Sequence, residues 1–271
     1  MEETKRIHYF HADASSFGGA LDHPVHKIVP SQAELSLPAT GGFTSRRGNA
    51  FSFEEIVSCE ATFTRASGGK SHKNGSWTTS VTSAVDKLNI LEVVTADRVV
   101  SQISVEHPLV GHTPKVTFVG SQFINLRIGG VLVDAVLNKA LLTPGNGDYP
   151  GLPWTRHSGF MKDIRAQHAA REKAPKVPKW AQDRYSWVAD DKGVEEKGHV
   201  VCSLVDNLIG DIPGNVFGHV VEIPEFGKFF FGEVMFDQGT FQLTMVRAEL
   251  GCAVGGTFAA ATTRSNGHTF P

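Results

Sequence analysis

The sequence predicts a mainly β protein with an antiparallel sandwich or barrel-like fold and one helical excursion near residues 158–173. Three observations lead to this prediction. Apolar and polar residues alternate over several segments, two glycine-containing turns join apolar segments, and clusters of Gly, Pro, Asn and Ser recur at near-regular spacing. Many short strands with such spacing, and little helical periodicity between them, are typical of sandwiches and barrels.

The alternation is clearest in residues 99–106, where Val99, Ile103 and Val105 share one face that Ser101 interrupts. A period of two places alternate side chains on opposite faces, so this segment is predicted to be a half-buried strand. Further strands are predicted near residues 5–12, 26–37, 50–65, 76–84, 90–95, 115–128, 199–205, 216–223 and 255–263.

Two β-hairpins follow from the turn residues. Gly129 and Gly130 separate two apolar segments and tolerate the positive φ angles of a tight turn. A second hairpin is predicted over residues 228–250, and its first strand is apolar on both faces. The alternation assigns the two faces as follows: Phe230, Val234 and Phe236 on one, and Phe229, Phe231 and Met235 on the other. We therefore expect this strand to be covered on both sides.

One segment, residues 144–197, departs from the β pattern. It begins with a Pro- and Gly-rich stretch and continues with good helix formers from Ser158 to Lys173, after which Pro175 and Pro178 stop the helix. The predicted organisation is a β-rich part over residues 1–143, this excursion over 144–197, and a β-rich part over 198–271 that completes the same core.

Composition and motifs exclude several function classes. The formal net charge is −2 over 271 residues, which argues against a nucleic-acid binder. Three cysteines are too few for a disulfide-dense secreted scaffold. The first ten residues contain no apolar signal segment, so a cytoplasmic location is predicted. No apolar stretch is long enough for a membrane-spanning helix. The sequence lacks the motifs of a catalytic serine, a phosphate-binding loop, a zinc-binding helix and a paired-cysteine site. Neither a cofactor nor a catalytic residue is therefore predicted.

Histidines provide the one alternative that involves an enzyme. The candidate metal ligands are His8, His11, His23, His26, His107 and His112. His8 and His11, and likewise His23 and His26, have a spacing that sends the two side chains of a strand to opposite faces. A metal-dependent enzyme would therefore need ligands from separate strands, as zinc and iron sites allow.

The excursion supplies candidate interface residues. It combines aromatic and arginine side chains, the types that dominate interface energetics. These candidates are Trp154, Arg156, Trp180, Arg184, Tyr185 and Trp187. They are predicted to form a projecting arm whose aromatic side chains pack against this chain or a neighbouring one. This arm would support a non-catalytic, structural protein that associates with copies of itself. The alternative is a monomeric β-sandwich that binds a carbohydrate or another small ligand through the same aromatic side chains.

Part of the chain resembles a bacterial family. Residues 77–91, the Val-Thr-Ala-Asp motif at 94–97 and the Asn-Leu-Arg-Ile-Gly-Gly motif at 125–130 resemble the choice-of-anchor P type of surface protein. The resemblance covers about residues 75–140 and implies a β-rich, non-catalytic domain of bacterial type. The C-terminal part, including residues 243–251, resembles bacterial proteins of no assigned function.

Overall fold

The computed structural model describes residues 8–72, 75–109, 114–142, 158–173, 177–237, 240–251 and 254–266. The strands are β1 (Ala12–His23), β2 (Lys27–Gln32), β3 (Leu35–Ser36), β4 (Gly42–Gly48), β5 (Phe51–Phe53), β6 (Val57–Cys59), β7 (Ala61–Lys70), β8 (Trp77–Ile90), β9 (Val94–His107), β10 (Lys115–Thr117), β11 (Gln122–Ile124), β12 (Arg127–Ile128), β13 (Val131–Leu132), β14 (Asp134–Leu137), β15 (His199–Ser203), β16 (Val205–Ile209), β17 (Asn215–Phe217), β18 (Val220–Ile223), β19 (Gly227–Asp237), β20 (Thr240–Gly251) and β21 (Gly255–Asn266). The helices are α1 (Ser158–Glu172), α2 (Lys179–Asp183), the 3-10 helix η1 (Ser186–Ala189) and α3 (Asp191–Lys197).

The strands form two large antiparallel sheets and a small sheet that pairs β14 with β16. Sheet A has the order β17-β18-β19-β20-β21-β1-β2, with β15 beside β19 and β3 beside β1. Sheet B has the order β13-β12-β9-β8-β6-β5; β10 and β11 also pair with β9, and β7 joins β8 to β4. Strands β1, β20 and β21 pack across β7, β8 and β9. The predicted antiparallel β fold is thus confirmed as an open sandwich, and the described strands form no closed barrel.

Buried hydroxyl groups join the two sheets where they pack together. The Ser101 hydroxyl lies 2.6 Å from that of Thr263 and 3.3 Å from the carbonyl oxygen of Leu243. On a neighbouring pair of strands, the Ser83 hydroxyl donates to the Ser15 carbonyl at 3.0 Å. Because buried polar groups require partners, these bonds explain why a serine interrupts the inward apolar face of β9.

A line of irregular residues, which we call the crease, crosses four adjacent strands of sheet A. Each strand buries two consecutive residues there: Ser16 and Phe17 in β1, Phe231 and Gly232 in β19, Met245 and Val246 in β20, and Ala260 and Ala261 in β21. Gly232 and Ala261 have positive φ angles of 64° and 52°. Because two neighbours face the core at the crease, the inward and outward positions exchange along each strand.

The crease corrects the predicted faces of β19. The main core contains side chains from both sides of the crease, namely Phe229, Phe231, Val234 and Phe236. Phe230 lies on the opposite face against Trp180, and Met235 lines a groove on that outer face. The prediction that Phe230 shares a face with Val234 and Phe236 is therefore wrong, because Gly232 inverts the alternation. Burial of the strand on both faces is confirmed.

Both predicted hairpins are present. Ile128 pairs with Val131 across Gly129 and Gly130, whose φ angles of 57° and 81° are those that favour glycine. The second hairpin joins β19 to β20, where Asp237 accepts a hydrogen bond from the backbone N–H of Thr240 at 2.7 Å.

Helix α1 confirms the predicted helix and lies along the free edge of β15. The side-chain amide of Gln167 accepts from the Ser203 N–H and donates to its carbonyl, both at 2.9 Å. His168 Nε2 lies 2.9 Å from the Val201 carbonyl oxygen. These side chains take the place of a neighbouring strand, so the edge is covered by a helix.

The excursion contains more helix than the single one predicted. Within the described residues, α1, α2, η1 and α3 all lie between β14 and β15. Asp190 accepts a hydrogen bond from the Gly193 N–H at 2.7 Å to cap the start of α3, and Gly198, with φ of 69°, follows its last residue. None of the described helices is long and apolar enough to cross a membrane.

Candidate functional site

The outer face of sheet A carries charged side chains beneath α2 and η1. Glu233 in β19 lies on one side of the crease, and Arg247 and Glu249 in β20 lie on the other, all at positions that point away from the core. Beside them, Phe230 is fully buried under the edge of Trp180, with 6.4 Å between the ring centroids. The charged side chains beside it are half-buried, so pairing stabilises them there.

These charged groups form a chain of contacts with Tyr185 and Arg184, and we call these five residues the Glu233 network. The Tyr185 hydroxyl donates to Glu233 Oε1 at 2.6 Å, and Arg247 Nε donates to Glu233 Oε2 at 2.5 Å. Arg247 also donates a hydrogen bond to Glu249. Both terminal nitrogens of Arg184 donate to the same Glu249 carboxylate, at 2.7 and 3.2 Å. Two-point contacts of this kind fix the orientation of both planar groups.

The network controls the charge states of its members. Burial opposes the charge of Arg247, but the hydrogen bond and charge of Glu233 outweigh it and raise the pKa of that guanidinium. Burial, together with the neighbouring Glu233 carboxylate, raises the pKa of the Tyr185 hydroxyl. Tyr185 therefore remains a neutral donor and Arg247 remains a cation at neutral pH.

A groove opens beside this network, with a volume of about 330 Å³. We call it the Trp187 groove, and its lining consists of Arg184, Tyr185, Trp187, His199, Val201, Glu233, Met235, Gln242, Thr244 and Arg247. Trp187 and His199 meet edge to face, with their ring centroids 5.0 Å apart. The groove thus combines an aromatic wall with donors and acceptors, and its volume is that of a small-molecule site.

The predicted interface residues lie against their own chain. Trp180 and Trp187 are half-buried, Arg184 pairs with Glu249, and Tyr185 is only 4% exposed. In the described residues these side chains pack against their own chain, which is one of the two predicted arrangements, and they do not project from the fold. The cause is the charged outer face of β19 and β20, to which the segment binds. Trp154 and Arg156 lie outside the described residues, and a role of the whole set in association stays a prediction.

The predicted metal ligands occupy different surroundings. His8 and His107 are buried with their ring centroids 4.7 Å apart, and burial lowers the pKa of His8. His11 pairs with Asp13 at 2.5 Å. His23 and His26 are exposed, and His112 lies outside the described residues. Among the residues that are described, no three His, Cys, Asp or Glu side chains are placed to hold a metal ion.

Sequence reasoning missed Glu233, Arg247 and Glu249 as site residues. A signal was present, since each is a charged residue within a strand that is otherwise mostly apolar. A charge at such a position indicates either an exposed face or a buried partner.

These features define a class: an open antiparallel β-sandwich whose outer face bears a half-buried ionic network under a helical segment. The chain belongs to the family described as a domain of unknown function, DUF8256, which it matches over residues 8–237. The match includes Arg184, Tyr185 and Glu233 but ends before Arg247 and Glu249. No curated protein and no solved structure matches the chain.

Proposed function

We propose that this protein binds a small polar ligand of the carbohydrate class in the Trp187 groove and does not convert it chemically. The observation that carries the proposal is the aromatic wall of Trp187 and His199 standing beside the fixed polar groups of the Glu233 network. The resemblance of residues 75–140 to β-rich surface proteins implies a non-catalytic domain, which also favours a protein that does not convert its ligand.

The chemistry of the lining fits a sugar. One face of a sugar ring presents C–H groups, which pack on an aromatic side chain such as Trp187. The ring hydroxyls both donate and accept hydrogen bonds, and Gln242, Thr244 and Arg247 offer matching groups in the groove. Because the network holds Arg247 in place, little side-chain entropy is lost when a ligand binds.

The same lining argues for binding without catalysis. Glycoside hydrolysis ordinarily needs two carboxyl groups on either side of the scissile bond. Glu233 is the only carboxylate among the described residues that line the groove, and both of its oxygens already accept hydrogen bonds. We therefore expect a ligand to leave the groove unchanged.

The proposal is tested by screening the purified protein on a glycan array and measuring each hit by isothermal titration calorimetry. We expect Trp187→Ala to weaken binding at least tenfold, whereas the control Trp180→Phe, which changes a tryptophan outside the groove, leaves the affinity unchanged. Gln242→Ala is a second groove variant in case Trp187→Ala fails to fold. The proposal is rejected if no glycan binds, or if Trp187→Ala and Gln242→Ala both bind as the wild type does.

Self-association is a second candidate function, and the edge of sheet B favours it. Strand β4 pairs on one side with β7 and has no second neighbour among the described strands. Its Phe43 side chain is 67% exposed. Unpaired backbone groups at such an edge can pair with another chain. Light scattering over a range of concentrations decides this candidate: a 29.3 kDa particle throughout excludes it, and growth that Phe43→Lys abolishes supports it.

A further inference from the structure

The floor of the Trp187 groove continues across the outer face of sheet A. Gln242 lines the groove and pairs with Arg264 of β21, which pairs in turn with Asp13 of β1. Residues that lie directly opposite each other on neighbouring strands point to the same face of the sheet. Thr263, the residue before Arg264, is fully buried between the two sheets, so Arg264 points outward. Gln242, Arg264 and Asp13 therefore extend the floor over two further strands, and we call these three residues the Arg264 row.

Arg264 is an exposed cation that makes no hydrogen bond and no ion pair with the described residues. The Asp13 carboxylate beside it is already engaged. It accepts a hydrogen bond from the Ser36 hydroxyl at 2.6 Å and lies 2.5 Å from His11 Nε2. The side-chain amide of Gln242, on the other side of Arg264, also has no hydrogen-bond partner within the described part of the chain. A ligand that extends from the groove along the Arg264 row therefore meets unused donors on both Gln242 and Arg264.

Two arginines inside the groove also have unused N–H groups. The side chains of Arg184 and Arg247 are 31% and 19% exposed, and both line the groove. Arg184 donates to both oxygens of Glu249. Arg247 donates from Nε to Glu233 and from Nη1 to Glu249, and its Nη2 donates to no group among the described residues. Because a guanidinium has more N–H groups than these contacts use, each arginine can donate to a ligand and keep its carboxylate partner.

The charges around the groove favour an anion. Glu233 and Glu249 are each bound to an arginine of the groove, so their charges are balanced. Behind the Tyr185 ring lies a further guanidinium, that of Arg171, whose carbon is 4.1 Å from the ring centre. Arg171 bonds His168 and no carboxylate among the described residues, so one cation of this cluster is left unbalanced. Solvent screens the charges of a half-buried cluster only in part, so this excess attracts a negative ligand to the groove.

We propose that the Trp187 groove binds one unit of an acidic glycan and that the next unit crosses Gln242 to Arg264. The carboxylate of the first unit accepts hydrogen bonds from Arg247, and the carboxylate of the next unit accepts them from Arg264. A guanidinium and a carboxylate are both planar and form two parallel hydrogen bonds, so these arginines select an acid over a neutral hydroxyl group. The inference rests on the proposed binding of a carbohydrate in the groove, and it adds the charge of that carbohydrate and the direction in which it extends.

Matched oligosaccharides test the proposal by isothermal titration calorimetry. The probes are the trisaccharides of galacturonate, mannuronate and glucuronate, each with free carboxyl groups and as the methyl ester, which removes the charges and keeps the sugar rings. We expect at least one free acid to bind at least tenfold more tightly than its ester, and to bind more weakly as the salt concentration rises. If the esters or the neutral glycans of the array bind as tightly as the acids, the acidic class is overturned while the carbohydrate proposal stands. If no saccharide of any kind binds, both proposals are overturned.

Variants of two exposed arginines then test the path of the glycan. Arg264→Gln removes the cation of the Arg264 row and should weaken binding of the free acid at least fivefold without weakening that of the ester. The control Arg65→Gln removes an exposed cation from β7 of sheet B and should leave both affinities unchanged. Neither side chain is buried, so we expect both variants to melt at the temperature of the wild type. If Arg264→Gln binds the acid as the wild type does, or weakens acid and ester equally, Arg264 does not bind the carboxylate and the proposal is overturned.

Discussion

Replacing Glu233 with alanine removes the carboxylate that joins Tyr185 to Arg247. A hydrogen bond to a charged group contributes about 1.5–3 kcal/mol, and removing one partner of a buried ion pair costs about 3–5 kcal/mol. Glu233 and Arg247 have side chains that are 11% and 19% exposed, so solvent screens the pair only slightly. Arg247 keeps its contact with Glu249, which places the cost at the lower end. We expect Glu233→Ala to lower the free energy of unfolding by about 3 kcal/mol.

Urea denaturation of matched variants measures this effect. Glu233→Gln keeps an acceptor for the Tyr185 hydroxyl and should lose less stability than Glu233→Ala. The control is Glu196→Ala, which removes an exposed carboxylate 3.7 Å from Lys192 and should change stability by less than about 0.5 kcal/mol. If Glu233→Ala unfolds at the same urea concentration as the Glu196→Ala control, the Glu233 network does not stabilise the fold as argued.

Three further predictions concern the core, the crease and pH. Phe231→Ala empties a fully buried position and should cost about 3–5 kcal/mol in urea denaturation, whereas Phe43→Ala, 67% exposed, should cost less than about 0.5. Gly232→Ala places a side chain on a backbone with φ of 64°, with its Cβ 2.9 Å from Val205 Cγ2. If this variant loses less than about 1 kcal/mol of unfolding free energy, the crease is not strained as argued. The pKa of His168 is about 4 in the folded protein and 6.5 in the unfolded chain. Between these two pH values the unfolded chain therefore binds more protons than the folded protein does. Stability should therefore fall as pH drops from 6.5 towards 4, with about 3 kcal/mol of the fall due to His168, and His168→Gln should reduce this dependence by that amount.

The strand pattern was predictable because one face of each strand is buried against the other sheet. Residues 99–106 show this, and the paired glycines at 129 and 130 also specified their turn. The inverted faces of β19 were not predicted, although Gly232 within the strand was a signal for a bulge. The period-two rule assumes an uninterrupted strand. One irregular residue at the crease therefore exchanges the inward and outward positions of the residues that follow it.

The candidate site was predicted only in part. The aromatic and arginine residues of the excursion were identified, but not the surface against which they pack. Tyr185 and Glu233 are 48 residues apart in the chain. Periodicity shows which face of a strand is buried, and it carries no information on which distant segment covers that face.

A crystal structure of the protein with a saccharide from the array tests the central claim most directly. The account predicts one sugar ring stacked on Trp187, with hydroxyl groups within hydrogen-bonding distance of Gln242 or Arg247 and an intact glycosidic bond. A sugar bound anywhere else on the molecule, or a cleaved one in the groove, would contradict it.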